Sequence, residues 1–105
     1  MSSTDTSHAG EILDRIQHHK GVRGVIVVNS DSMSVRSTLD NSATVQYIGM
    51  AKTLTTMSRS LVRDINPQDD LAILRVRTKK SEIIIAPERT ADDREYQVIA
   101  IQDYE

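Results

Sequence analysis

The chain contains no cysteine, phenylalanine or tryptophan, and only three tyrosines, four glycines and two prolines in 105 residues. Lack of cysteine excludes a disulfide scaffold, a cysteine-based zinc site and a thiol nucleophile, and it suits a cytoplasmic setting. Without large aromatics the core must be aliphatic. No stretch approaches the roughly 18 consecutive apolar residues of a spanning helix, so no membrane insertion is expected. The first ten residues are polar and carry no apolar signal-peptide segment. A strong excess of one charge is also missing: 13 Lys and Arg against 15 Asp and Glu leave a net charge of −2. Constitutive nucleic-acid binders are usually strongly basic, so nucleic acid is not an expected partner.

What the chain does have is branched aliphatic side chains. Leu, Ile and Val make up 26 of the 105 residues, and 20 of those are Ile or Val, which favour half-buried pleated surfaces. The length allows one domain. A core this small gains from association with a partner.

Residues 1–8 are rich in Ser, Thr and Asp and read as a flexible terminus before a single domain over 9–105. Ala9, Ile12, Leu13 and Ile16 recur at helical spacing, and Gly21 follows as a left-handed helix stop. The β-branched run 24–29 is too short for a helix and reads as a central strand covered on both faces. Asn29, Ser30, Asp31 and Ser32 are turn residues, and 33–38 returns antiparallel. Leu39, Asp40, Asn41 and Ser42 offer N-caps for a long helix over about 43–65, which Pro67 stops. Segment 71–78 alternates, Lys79, Lys80 and Ser81 reverse the chain, and 82–87 is a strand ended by Pro87. A charged loop over 88–95 precedes a last strand at 96–102. The order α-β-β-α-β-β-β predicts an α+β fold around a mostly antiparallel sheet.

The long helix is the most informative segment. At about 100° per residue, Tyr47, Ile48, Met50, Ala51, Leu54, Met57, Leu61, Val62 and Ile65 share one arc. That arc covers about half the circumference, wider than the roughly 100° a surface helix needs. It implies two tasks: covering the chain's own sheet and meeting something else. Lys52, Arg59 and Arg63 fall on the opposite side, and Arg75, Arg77, Lys79 and Lys80 form a second basic cluster. Neither is interleaved with aromatics that stack on bases.

Catalytic constellations are not evident. Of three histidines, His18 and His19 are adjacent and diverge on a helix, unsuited to one metal. Asp69-Asp70 and Asp92-Asp93 sit in polar turns with nothing to bury them. No serine lies in a G-x-S-x-G elbow, and the G-x-x-G of Gly21 and Gly24 is no phosphate loop. No cofactor and no enzymatic activity are expected.

Five blocks together carry a resemblance: KGVRGVIVVN at 20–29, STLDN at 37–41 with QY at 46–47, VRDINPQDDL at 62–71, LRVRTKKSEI at 74–83 and AP at 86–87. They resemble the roadblock-type dynein light chains over nearly the whole chain. Ser32 departs from that family's usual glycine, and the 88–95 loop is longer than usual. The resemblance implies a three-layer α/β/α fold: a five-stranded antiparallel sheet, the long helix on one face and the short helix on the other. It implies a homodimer in which the third strand pairs with its symmetry mate and the long helices lie side by side, using Leu71, Ile73, Arg75, Arg77, Leu54, Met57 and Leu61. It further implies a non-catalytic, cytoplasmic and cytoskeleton-associated adaptor that binds the dynein intermediate chain for microtubule-based transport, in the cytoplasm or in a cilium or flagellum. Tyr47, Met50, Lys52, Arg59 and Arg63 are the residues assigned to that partner, whose amphipathic helix would set acidic residues against the basic flank. The alternative within this fold is a dimeric scaffold or regulator of a Ras-like GTPase.

Overall fold

A computed structural model of the chain describes residue 15 and residues 21–31, 33–89 and 95–103. The sheet begins with β1 (Val22–Asn29) and β2 (Ser34–Ser37). After α1 (Asn41–Ile65) come β3 (Leu74–Arg77), β4 (Ser81–Arg89) and β5 (Glu95–Asp103). The sheet is antiparallel throughout, in the order β2-β1-β5-β4-β3. Its two edges are therefore β2 and β3.

The β-branched run predicted to be a central, covered strand is an interior one, paired with β2 and β5. Val25, Ile26, Val27 and Val28 are all buried, because each face of β1 is covered. Ile26 and Val28 join Ile83, Ile85, Ile99 and Ile101 in a cluster on which Ala51 of α1 packs. Val25 and Val27 form a second cluster with Tyr96 and Val98 on the opposite face. Each fully buried isoleucine contributes on the order of 2–3 kcal/mol. The helix expected from Ala9, Ile12, Leu13 and Ile16 lies outside the described residues apart from Arg15, as do Ser32 and most of the 88–95 loop.

Local chemistry places α1 on the sheet. Asn29 Oδ1 accepts from the backbone N–H groups of Asp31 and Met33 and so closes the β1–β2 turn. Of the N-cap candidates in 39–42 the structure uses Asp40, whose Oδ1 accepts from Ala43 N at 2.8 Å. Thr44, buried in the first turn, shares a hydrogen bond with Ser37 at 2.8 Å and ties the helix start to β2. Gly24 leaves room for Leu39: a Cβ there would lie 2.7 Å from Leu39 Cδ2. Gly21 has φ +87°, the left-handed conformation expected of it.

Several strand boundaries differ from the sequence reading, two of them through Pro87. Pro87 does not end its strand; β4 runs on to Arg89, paired with β5. This is possible because β3 pairs with β4 only as far as Leu74 opposite Ile85, leaving β4's outer side open at Pro87. The same register explains why β3 is four residues and not eight. Extended backwards, it would set Ala72 against Pro87, which has no N–H to give. Leu71, Ala72 and Ile73 therefore have no ladder partner among the described residues.

Candidate protein-interaction surface

Met50, Leu54, Met57, Leu61 and Ile65 follow one another at three- or four-residue spacing and form one ridge along α1. Its two ends differ. Met50 packs on the isoleucine cluster and Leu54 is half-buried. Beyond them Met57 is 59% exposed, Leu61 62% and Ile65 88%. Length accounts for the contrast: 25 helical residues reach roughly 37 Å, while nine strand residues reach roughly 30 Å, so the helix outruns its sheet. Single exposed apolar residues are ordinary, but a continuous apolar ridge marks an interaction surface.

The ridge has a counterpart at the sheet edge. Leu74 and Val76 of β3 turn toward the same isoleucine cluster that α1 covers, while Arg75 and Arg77 point the other way and are exposed. Arg75 Nη2 donates to Glu82 Oε1 at 3.0 Å. Ile73, just before β3, is 55% exposed and Leu71 is half-buried. Among the described residues no strand pairs beyond β3. The residues assigned to a dimer interface thus lie on an exposed helix ridge and an open strand edge.

The residues assigned to a partner do not form one surface. Tyr47 packs on the core cluster. Asp103, 2.9 Å from Arg23 Nε, and then Tyr47 raise the pKa of the Arg23 guanidinium above its ordinary value. Lys52, Arg59 and Arg63 lie about 120–180° around the helix from Met57 and Leu61, so one narrow partner cannot lie along both. Arg59 and Arg63 already have a partner within the chain. Arg59 Nε is 3.1 Å from Asp70 Oδ1, a contact whose angle falls short of a hydrogen bond, and Arg63 Nη2 is 3.2 Å from Asp70 Oδ2. Asp70 Oδ1 also accepts from Leu71 N at 2.8 Å. That N–H first, and then Arg63 and Arg59, hold the Asp70 carboxyl below the usual aspartate range.

On the basic side of α1 lies an open groove of about 220 Å³ between the helix and the ends of β1, β4 and β5. Lys52, Thr55, Thr56 and Arg59 form one wall, and Asn29, Pro87 and Gln97 contribute to the other. Gln97 Nε2 donates to Thr55 Oγ1 across it at 3.0 Å. Among the described residues no three His, Cys, Asp or Glu side chains gather to hold a metal ion. None of the described helices is long and apolar enough to cross a membrane. His8, His18, His19, Asp92 and Asp93 lie outside the described residues.

Sequence periodicity missed Asp70, because its two arginines precede it by 11 and 7 residues across a proline turn. The signal that was available is the pairing of two i, i+4 arginines with the aspartates just past the helix end.

Among the described residues the chain is thus an α+β domain with a five-stranded antiparallel sheet, one long helix carrying an apolar ridge, and an open strand edge. Comparison with known families matches residues 8–91 to the Roadblock/LC7 domain, and the chain belongs to that family. Among solved structures it is similar to a Roadblock/LC7 domain from Streptomyces avermitilis, with TM-score 0.71 and 12% identity over 86% of this chain and 72% of that one. It is also similar to MglB of Myxococcus xanthus, with TM-score 0.66 and 11% identity over 98% of this chain and 75% of that one. At such identities these likenesses establish the shared fold.

Proposed function

We propose that this protein is a homodimeric, non-catalytic light chain of a dynein motor complex that binds the intermediate chain and supports microtubule-based transport from the cytoplasm. Membership of the Roadblock/LC7 family supports this reading, and so do the five sequence blocks shared with roadblock-type dynein light chains. The observation that carries it is the unfinished apolar surface: Met57, Leu61 and Ile65 beside solvent on α1, and Ile73 leading into an unpaired edge strand.

A second copy completes both features at once. Antiparallel pairing of β3 with its symmetry mate gives the open edge, from Ile73 through Arg77, the backbone partners that the chain itself does not supply there. Side-by-side packing of the two α1 helices covers Met57 and Leu61, with Leu54 beneath. The arrangement is isologous, so each contact occurs twice. The intermediate-chain segment then docks on the joined helices, where Met50 and the end of the ridge supply apolar surface, and Lys52 supplies a charge that steers association.

The test is capture with the native dimer, followed by mass spectrometry and by binding kinetics with an intermediate-chain fragment. Recovery of intermediate chain, with saturable fragment binding, is the expected result. Recovery of a Ras-like GTPase without intermediate chain would replace this reading by the GTPase-scaffold alternative.

A further inference from the structure

We infer that Asp70 is a positioning residue that holds the edge of β3 ready for a second copy, and that Arg59 and Arg63 serve Asp70 from within the chain. The inference rests on the homodimer reading above.

From Asn66 to Leu71 the chain leaving α1 is tied by short-range hydrogen bonds, three of them to side-chain oxygens. Asn66 Oδ1 accepts from Gln68 N at 3.1 Å, and Asn66 O accepts from Asp69 N at 3.0 Å. Asp69 Oδ1 accepts from Asp70 N, and Asp70 Oδ1 from Leu71 N, each at 2.8 Å. The last tie is the one that reaches back to the helix. Asp70 offers one carboxylate oxygen to Arg59 and the other to Arg63, one helical turn apart, at 3.1 and 3.2 Å. After Leu71 these side-chain ties end, and the ladder resumes only at Leu74. The fork thus anchors one end of the 71–73 segment and β3 anchors the other.

Magnitudes separate positioning from stability. The three side chains are 34% to 53% exposed, and ion pairs of that exposure contribute little to folding. β3 itself holds only four register pairs, all on one side. What the fork changes is the freedom of residues 71–73, which must be lost when a second strand pairs along them. A segment held in place beforehand loses less freedom on association, so the fork favours pairing without adding an interface contact. Arginine suits this role because its rigid planar head fixes direction as well as charge.

The experiment compares self-association of the wild-type chain with Asp70→Asn, Arg63→Gln and the double variant by sedimentation across concentration. Hydrogen exchange at Val76 and Ile83 serves as the fold readout. Expected is a roughly tenfold weaker dimer in each single variant and no further loss in the double, with the β3–β4 amides equally protected in all four. A merely structural role would lower protection together with association. Unchanged or additively weakened association overturns the inference while leaving the dimer intact. A wild-type chain that stays monomeric overturns the homodimer reading itself.

Discussion

The β4–β5 hairpin and the α1–β3 corner are built from the same aliphatic alphabet, yet one is finished within the chain and the other is not. β4 and β5 pair over nine residues, and Ile83, Ile85, Ile99 and Ile101 between them are almost completely buried. The corner has a four-residue strand, an open edge, and an apolar ridge that ends with Ile65 88% exposed. Hydrophobicity alone does not distinguish the two. Sheet width, helix length and one proline do, because they decide which apolar groups find cover inside one copy. The contrast teaches where stability resides and where association resides.

Substitutions can break that contrast at several strengths. The largest effect is expected in the finished region: Ile99→Ala should lower unfolding free energy by about 3–4 kcal/mol, measured by urea titration. Leu61→Asp should act on the unfinished region instead. It places an uncompensated charge where the second copy packs and should weaken the dimer by about 2–4 kcal/mol, while circular dichroism of the monomer stays the same. A comparable fall in monomer stability would show that Leu61 belongs to the intrachain core.

Smaller effects sharpen the boundary. Asp40→Ala removes the acceptor for Ala43 N and should cost about 1 kcal/mol of stability with little effect on association, since the cap acts within the first turn of α1, far from its exposed ridge. The smallest effect concerns pH. The Asp70 carboxyl is held below its ordinary range, so its contribution is present above the unfolded aspartate pKa and is lost as pH falls through the lowered value. Between pH 7 and about pH 5 the Asp70 fork should therefore leave dimer affinity unchanged. A difference between wild type and Asp70→Asn that shrinks within that window would assign the effect to another group.

Much of the fold was legible because burial writes simple patterns. Val25 to Val28 form an unbroken β-branched run since both faces of β1 are covered. The α1 arc is wider than the sheet covers, and it leaves Met57, Leu61 and Ile65 exposed. What stayed illegible depends on register between distant segments. Pro87 shortens β3 through its cross-strand position, which no local rule about proline reveals, and the same rule wrongly ended β4 there. The intrachain contact of Arg59 and Arg63 is not legible in the basic stripe, because Asp70 reaches it around a turn, outside helical spacing. How the ridge divides into Met50 and Leu54 on one side and Met57 and Leu61 on the other follows from where the sheet stops beneath the helix.

The central claim is that a second copy completes the α1–β3 corner. Sedimentation equilibrium at low micromolar concentration, paired with hydrogen exchange at the amide of Ile73, which faces the open side of the sheet, tests it most directly. The account predicts a species of twice the 11.7 kDa chain mass, with that amide protected in the dimer although the chain itself offers it no ladder. A single 11.7 kDa species with a freely exchanging Ile73 amide would contradict it.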